Sequence, residues 1–469
     1  MRPRTTTIPP TFSRPRAALA CTAALIAGGL SGCASLDYKA DIDRAAATVA
    51  ERSGISPVWN EPWEASLTAW DGQSPLRVEQ ALAMALRNNR EIRGQVESIA
   101  ASRADLVQAG LLPNPVVALT LRFPFDPVSG GSFVGASLVQ SFTALWLRDG
   151  KIESADARLN QSVLDVSDKA LRLVAEVRSK HTRITFGQRA ASLSDENLAT
   201  IQRTIDSLDA RVRGGEGTSL DVNRARQQLA KAQAERAITL RDLAKERRQM
   251  LELIGFAAEN AEWTVEVAVV NTVSNTPDEA AVMAMAGTQR LDVAAARLIV
   301  DAHRADLSTE ERSRLKDFGL GADFERDVDG KKTIGPVVEV GIPIFDTNQA
   351  QIAKAGSLAR AALANYEGVS QRATREVRVA WVELDAAGRL ADQYRQSVLN
   401  IAERNLTLAQ SALKAGQADV TVLLDAQREL VDARRMLSDL ERDAALARIA
   451  LEQAAGGTLV LVSPKSSGK

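Results

Sequence analysis

The sequence predicts a mainly α-helical fold with a small β part, built from two copies of one unit. Three observations predict it. The two halves of the chain match at a constant offset of 201 residues, long proline-free stretches space their apolar residues in heptads, and four short stretches alternate apolar with polar residues. We therefore expect each copy to contain one β-hairpin and one long antiparallel coiled-coil helical hairpin.

The composition fits long helices with charged faces. Aromatic residues make up only 4% of the 469 residues, and 58 basic against 59 acidic residues leave a net charge of −1. A nucleic-acid-binding protein would need a clear basic excess, so this class of function is excluded.

Residues 1–32 have the pattern of a secretory signal peptide. Arginines at 2, 4, 14 and 16 precede an apolar stretch over 17–30, which is shorter than the ~20 residues needed to span a bilayer. The stretch ends in Leu30-Ser31-Gly32-Cys33, which resembles the lipobox of bacterial lipoproteins. We expect Cys33 to carry the lipid, such as palmitate. A chance cysteine beside a plain signal peptide or a short membrane helix is the alternative.

The cysteine count agrees with an exported protein that has no internal disulfide. Cys21 would leave with the signal peptide, so Cys33 would be the single cysteine of the mature chain. Ala34 and Ser35 follow it, rather than the Asp that tends to retain lipoproteins at the inner membrane. The predicted location is the outer membrane.

The internal repeat sets the domain boundaries. Arg103-Ala104-Asp105-Leu106 matches Arg304-Ala305-Asp306-Leu307, and Gly215 and Gly255 match Gly416 and Gly456. The expected units are a lipid-anchored, extended N-terminal arm over 33–74, a first repeat over 75–260, an equatorial linker over 261–275, a second repeat over 276–460 and a tail over 461–469.

Each copy opens with a helix. The first begins near Ser74-Pro75 and ends at Leu111–Pro115, where two prolines stop it. In the second copy Thr276-Pro277-Asp278-Glu279 predicts a capping box with proline at the first helical position.

Two β-hairpins are expected, over about 116–141 and 319–344, because apolar and polar residues alternate there. Strands of about ten residues with one apolar face fit the wall of a transmembrane barrel. A half-buried hairpin of a soluble protein has the same alternation. The strands alone leave both interpretations open.

The long helices favour an elongated molecule. From Lys151 to Arg213 there is no proline, and a helix of that length spans roughly 90 Å. Its predicted coiled-coil seam consists of Leu159, Val163, Val166, Ala170, Leu173 and Val177. A return helix reaches about Ile254, and the second copy repeats the hairpin over 348–414 and 419–455. Since four strands cannot close a barrel in lipid, the chain requires either oligomerisation or a soluble sheet.

Several segments resemble the outer-membrane factors of the TolC family. They are Gln80–Asn89, Ala109–Pro115, Gly215–Val222 and Lys414–Gln427, and the resemblance covers residues 75–460 together with the duplication. It implies a homotrimer with a twelve-stranded transmembrane β-barrel and a periplasmic α-helical tunnel. It also implies a periplasmic adaptor protein and an inner-membrane RND-type pump as partners. Because the pump supplies the energy, neither enzymatic activity nor a cofactor is expected in this chain.

The resemblance also implies functional residues at the helix tips. Family members close the periplasmic end with aspartates after the tip glycine, and Asp425 matches one such position. Val422 departs from the other, although Asp221 occupies the matching place in the first copy. Asp425 could equally be an ordinary solvated helix charge. The tip glycines Gly215, Gly217 and Gly416 are the expected adaptor contacts, or serve the turns alone.

The transported substrate is less well indicated. Ile342–Gln349 resembles the corresponding segment of members that serve heavy-metal pumps. Asp323, Glu325 and Glu339 would favour cations if they face the lumen. No metal site is predicted, since His181 and His303 are isolated in the sequence.

Three other functions remain as alternatives. One is a periplasmic coiled-coil scaffold lipoprotein with soluble hairpins, and another is the outer-membrane component of a type I protein secretion system. A hydrolytic enzyme is the third, but the sequence contains no nucleophile, base and acid set that supports it.

Overall fold

A computed structural model describes residues 36–60, 70–123, 125, 131–215, 217–256, 262–266, 276–314 and 318–459. The predicted signal peptide, Cys33 and the tail over 461–469 lie outside these residues. The chain divides into Met1–Asp37 and Tyr38–Lys469, and all elements below belong to the second unit. In the described part of the chain, no helix is long and apolar enough to cross a membrane.

Helix α1 precedes the first copy, which contains four helices and two strands. In chain order these are α1 (Lys39–Ser53), α2 (Val78–Asn88), α3 (Arg90–Gly110), β1 (Val116–Arg122), β2 (Phe133–Ser141), α4 (Thr143–Arg213) and α5 (Ser219–Leu253). Helix α4 alone is 71 residues long.

The second copy repeats this order. Its elements are α6 (Glu279–Gln289), α7 (Leu291–Arg312), β3 (Phe318–Arg326), β4 (Lys332–Val340), α8 (Gln349–Tyr394), a π-helical turn (Arg395–Leu399), α9 (Asn400–Lys414) and α10 (Val420–Ala455). The duplication predicted from the sequence is confirmed, because α2 and α6 begin 201 residues apart, as do α3 and α7, and α5 and α10.

The predicted extended arm is wrong in its conformation. Residues Lys39–Ser53 form α1, which buries Ile42, Ala45 and Val49 against the first copy. These apolar residues recur at helical spacing, and their burial stabilises the helix. The indole of Trp59 donates a hydrogen bond to the carbonyl of Leu86 at 2.9 Å. The segment therefore packs along the protomer, as expected, but as a helix.

The opening helices also differ from prediction. In the first copy Asn89 breaks the helix in two, because its side chain accepts hydrogen bonds from the amides of Glu91 and Ile92 and caps α3. In the second copy the predicted capping box is wrong by two residues. Asp278, not Thr276, accepts from the amide of Ala281 and caps α6.

The long helices confirm the predicted hairpins, with altered starts. α4 begins at Thr143, eight residues before the predicted Lys151, because it follows β2 directly. All six predicted seam residues of α4 are buried. The second long helix is not continuous, since the π-helical turn Arg395–Leu399 separates α8 from α9.

The four strands form one antiparallel sheet in the order β1-β2-β3-β4. β4 ends at Val340, earlier than the predicted residue 344. In the register, Leu119 lies opposite Ala136, Ala136 opposite Phe324, and Phe324 opposite Ile334. This row belongs to an apolar face that is open to the surroundings, with Leu119 74% and Ile334 79% exposed.

The largest core lies where α1, α2, α3 and the C-terminal end of α5 meet α4. Trp70 packs edge-on against the buried ring of Trp263, with 5.1 Å between the ring centroids. Val265, in the predicted equatorial linker, forms a parallel bridge with Leu76. The described part of that linker is thus built into the core of the first copy.

Candidate functional site

Two helix tips end the hairpins, and a glycine with positive φ makes each turn. Gly215 has φ +76° and Gly416 has φ +70°, a left-handed conformation that side chains with a Cβ rarely adopt. Gly217 does not share it; a Cβ there would lie 3.3 Å from Val212. Gly215 and Gly416 therefore allow a left-handed backbone at the turns, whereas Gly217 allows the backbone to pass close to Val212.

The two tips cap their return helices differently. Thr218 accepts a hydrogen bond from the amide of Asp221 at 3.3 Å, while its hydroxyl donates to the Asp221 carboxylate at 2.7 Å. In the second copy Asp419 accepts from the amide of Val420 at 2.6 Å. The carboxylate of Asp221 is therefore engaged at the start of α5.

Asp425 has a different setting from Asp221. It lies on α10, more than a turn beyond the cap, and is exposed. At the matching position of the first copy stands Arg224, whose guanidinium donates to the Thr421 hydroxyl at 3.2 Å. The structure thus separates the two predicted aperture aspartates by role: one is part of a helix cap, and the other is free to face solvent.

The tips of the two copies pack against each other. They share one apolar cluster of buried residues, made of Ile201, Ile205, Leu208, Val222, Ala225, Ala232, Val420 and Leu424. A groove of about 360 Å³ runs between the tips, lined in part by Gly215, Gly217, Asp221 and Asp419. The paired tips form a single composite end of the molecule.

Above the tips, a line of polar contacts joins α4 of the first copy to buried side chains on α10 of the second. Its rungs are Arg178 with Glu452 at 2.6 Å, Arg189 with Glu441 at 2.6 Å, and Thr204 with Gln427 at 3.3 Å. We call these six residues the polar seam. The three α10 members are at most 8% exposed.

The polar seam was not predicted from the sequence, although the sequence contains a signal for it. Glu441 follows Leu437 by four residues and Glu452 precedes Ala455 by three, so both acids interrupt the apolar stripe of α10. An acid in such a stripe indicates a basic or hydrogen-bonding partner, because an unpaired buried charge is very unfavourable. Its partner lies more than 250 residues away in the chain.

The predicted acidic residues share one face of the sheet. Asp323 lies opposite Ser137 and Gly335, and Glu325 opposite Gly135 and Thr333. Glu339 pairs with Gly319, which places it on the same face. This face is polar and glycine-rich, whereas the face bearing Leu119 is apolar. The structure brings the three carboxylates onto one surface.

A charged crevice of about 780 Å³ lies where α1 and the two copies meet. Arg290, 8% exposed, donates to the carboxylate of Asp292 at 2.6 Å and forms an ion pair with Glu376 at 2.7 Å. Burial alone would raise the pKa of Asp292, but its hydrogen bond and charge contact with Arg290 outweigh this and lower it. These charges connect the start of α7 to α8.

Among the described residues, neither histidine belongs to a group of three or more side chains that could hold a metal ion. His181 is buried, and its Nε2 lies 3.3 Å from the carbonyl oxygen of Leu76. His303 lies 3.5 Å from Asp306. Among the described residues, no group of three or more His, Cys, Asp or Glu side chains could hold a metal ion.

Comparison with known proteins agrees with this architecture. A family model for outer membrane efflux proteins matches residues 81–255 and again 282–457, once per copy. The cobalt-zinc-cadmium resistance protein CzcC of Cupriavidus metallidurans is 22% identical over 365 residues, covering 78% of this chain and 86% of that protein. The outer membrane protein OprJ of Pseudomonas aeruginosa is 26% identical over 377 residues, covering 74% and 76%.

The fold is shared with solved outer-membrane channels. The CusC structure superposes with a TM-score of 0.69 at 17% identity, covering 86% of this chain and 99% of that one. The open state of the MtrE channel of Neisseria gonorrhoeae gives 0.67 at 19% identity, covering 86% and 96%. The long hairpins and the small sheet are therefore those of this class of channel.

Proposed function

This chain belongs to the outer membrane efflux protein family, and we propose that three copies of it enclose one continuous conduit across the outer membrane and the periplasm. The twelve strands would close a barrel, and the helical hairpins would line a tunnel below it. The conduit is passive, with a periplasmic adaptor and an inner-membrane RND-type pump supplying cargo and energy.

The observation that carries the proposal is the open sheet with its exposed apolar face. Among the described residues, no strand pairs with the outer edge of β1 or of β4, and the face bearing Leu119, Phe324 and Ile334 is exposed. Unpaired backbone amides and carbonyls at a sheet edge are prohibitive in lipid, so the edges must pair. Pairing β4 of one copy with β1 of the next satisfies both edges.

An unpartnered apolar stripe supports assembly of the helical part as well. Apolar side chains of α8, the π-helical turn and α9 that are 41–67% exposed include Val379, Val382, Leu390, Val398, Ile401 and Leu408. Their spacing follows one side of a helix. A neighbouring copy would cover this stripe and remove its apolar surface from water.

Within the conduit we assign the acidic face of the sheet to the lumen. If the apolar face meets lipid, Asp323, Glu325 and Glu339 point inward. Carboxylates lining a pore favour cations over anions. At the other end, three Asp425 carboxylates near the threefold axis would repel one another and bind cations, making the aperture sensitive to them.

Two further roles concern attachment. The composite tip, with Gly215, Gly217 and Gly416 at its turns, is the assigned adaptor contact because it is the exposed end of the hairpins. Cys33 is the assigned lipidation site, placing acyl chains in the outer membrane a few residues before α1.

The assembly is tested with detergent-purified full-length protein. We expect a heat-sensitive trimer on native electrophoresis and discrete channel conductance in planar bilayers. A monomer or dimer that stays soluble once the lipid is removed, with no conductance, would instead support the periplasmic scaffold.

For the substrate we propose divalent heavy-metal cations. CzcC is by its name a cobalt-zinc-cadmium resistance protein, and the acidic face of the sheet favours cations. A deletion strain should become sensitive to cobalt, zinc or cadmium salts and recover with the intact gene. Sensitivity to drugs alone, with unchanged metal tolerance, would contradict the metal assignment while leaving the conduit in place.

A further inference from the structure

A groove of about 700 Å³ lies between α3 and α4, close to the point where both helices meet the sheet. We call it the junction groove. The side chains at its strand end are apolar: Leu111, Leu112, Pro113 and Ala144. Those further along the helices are polar or charged, and include Gln108, Arg148, Lys151, Arg158, Asp105 and Asp306. The groove therefore changes from apolar to charged with distance from the sheet.

The strand end of the junction groove continues the apolar face of the sheet. Val134, Ala136 and Leu138 lie on that face of β2, so Gln140, the next residue of the series, leaves the sheet on the same side. Its side-chain amide donates to the carbonyl of Pro113 at 2.8 Å. A molecule that lies against the apolar face can therefore extend into the groove without crossing the sheet.

Two cations stand where the apolar part of the groove gives way to the charged part. The guanidinium of Arg148 donates from Nε to the carbonyl of Gly110 at 2.7 Å. Lys151 follows three residues later on the same side of α4 and is exposed. Among the described residues, no acid forms an ion pair with either of them. Their positive charge is therefore available to a ligand.

The charges further from the sheet are largely satisfied within the protein. The carboxylate of Asp306 on α7 accepts from the hydroxyl of Ser154 at 2.6 Å and pairs with Arg158. Asp105, the other acid of the groove, lies about one helical turn further from the sheet than Gln108. An anion would therefore be attracted to the strand end of the groove rather than to its far end.

Helix α1 lies against the far end of the junction groove and leaves the strand end open. Arg44 of α1 donates to the side-chain oxygen of Asn160 on α4 at 3.0 Å, and Asp41 pairs with Arg103 on α3 at 2.6 Å. Asn160 directly precedes Gln161, which lines the groove. The open end is thus the one beside the apolar face of the sheet.

The second copy does not repeat this cationic groove. At the offset of 201 residues, Gln349 and Ile352 stand in place of Arg148 and Lys151. The corresponding corner is hydrogen-bonded within itself, because the buried side chain of Asn348 donates to the hydroxyl of Ser313 at 2.6 Å. Each chain therefore carries one such groove, although it carries two copies of the repeat.

We propose that the strand end of the junction groove binds the headgroup of an anionic phospholipid of the outer membrane, with its phosphate at Arg148 and Lys151. Guanidinium and ammonium groups match phosphate oxygens, and basic side chains beside a membrane attract anionic lipids. An acyl chain would lie over Leu112 and the apolar face of the sheet, a contact from which a free phosphate ion gains nothing. This inference rests on the proposed barrel, in which the apolar face meets lipid.

Native mass spectrometry of the detergent-purified full-length protein tests the site. The protein is titrated with a short-chain phosphatidylglycerol, with phosphatidylcholine of the same chain length, and with inorganic phosphate. We expect one phosphatidylglycerol to be retained per chain, with an affinity about fivefold or more above that of phosphatidylcholine. Equal retention of the two lipids, or displacement of the bound lipid by inorganic phosphate at equal concentration, would overturn the proposal.

Variants locate the bound headgroup. Lys151→Ala should weaken phosphatidylglycerol binding about fivefold and Lys151→Glu by more, while both keep the fold because Lys151 is exposed. Arg148→Gln should weaken it at least as much as Lys151→Ala. Lys354→Ala is the matched control, since Lys354 is an exposed lysine near the start of α8 that does not line the groove. Equal losses in Lys151→Ala and Lys354→Ala would show general surface attraction and overturn the site.

The trimer state and the channel conductance of the same samples separate this site from the proposed conduit. Conducting trimers that retain both lipids alike would refute the groove and keep the conduit. Selective binding of phosphatidylglycerol that depends on Lys151, in a protein that neither forms trimers nor conducts, would keep the groove and refute the conduit.

Discussion

The carboxylate of Asp41 on α1 accepts two hydrogen bonds from the guanidinium of Arg103 on α3, at 2.6 and 2.7 Å. Asp41 is 1% exposed, so this pair docks α1 onto the first copy. At the other end of α1, Arg52 donates to the carbonyls of Gln289 and Gly456, the latter at 3.0 Å. α1 therefore bridges the two copies.

Removing the Asp41 carboxylate should weaken the packing of α1 on the two copies. We expect Asp41→Ala to lower the free energy of unfolding by about 2 kcal/mol, because Arg103 loses its partner at a largely buried position. Limited proteolysis should then cut within α1. Glu51→Ala, at an exposed site of the same helix, is the control. Equal protease resistance in the two variants would show that Asp41 does not hold α1 in place.

The glycines of the repeat provide a matched pair of substitutions. Gly416 and Gly456 both have positive φ. A Cβ at Gly456 would lie 2.9 Å from the carbonyl carbon of Gln289, whereas a Cβ at Gly416 would have no neighbouring atom within 4 Å. We expect Gly416→Ala to cost about 1 kcal/mol of unfolding free energy and Gly456→Ala at least about 3 kcal/mol. Denaturant titration measures both, and equal losses would refute the close approach.

His181 should make stability depend on pH. Burial lowers its pKa from the ordinary value of 6.5, so the folded state keeps the neutral imidazole. Its contribution is complete above pH 6.5 and is lost as the pH falls towards the folded-state pKa, because the unfolded chain takes up the proton first. The unfolding free energy of the wild type should therefore fall more between pH 7.5 and 5.5 than that of His181→Gln; parallel curves would contradict this.

Asp425 should control cation block of the channel. Asp425→Ala should weaken block by multivalent cations from the tip side about tenfold or more, since a ring of three carboxylates is removed. Asp432→Ala, two turns further from the tip on a similar side of α10, is the control and should change block less. Conductance and block identical to the wild type in Asp425→Ala would refute the aperture assignment.

The acidic face of the sheet should set ion selectivity. Replacing Asp323, Glu325 and Glu339 by their amides should shift the reversal potential in a salt gradient towards lower cation preference. Asp329→Asn is the control, because this turn residue already lies 3.2 Å from Lys331. An unshifted reversal potential in the triple variant would place the three carboxylates away from the permeation path.

Much of the architecture could be predicted because its signals are local. Heptad spacing in Leu159–Val177 indicates a buried helix side, alternation in Val116–Arg122 indicates a strand, and Gly215 and Gly416 mark turns that need positive φ. The constant offset between the copies then predicts that both adopt the same fold. Each of these inferences uses residues within a few turns or strand positions of one another.

Other features were decided by tertiary structure alone. Glu441 and Arg189 are 252 residues apart, and the pairing of Asp41 with Arg103 spans 62. Asp221 and Asp425 were both predicted as aperture residues, but Thr218 engages the carboxylate of Asp221, whereas Asp425 is exposed. The sequence by itself determined two hairpins per chain and four strands. Which charges are buried between the hairpins depends on packing between distant helices, which no local pattern encodes.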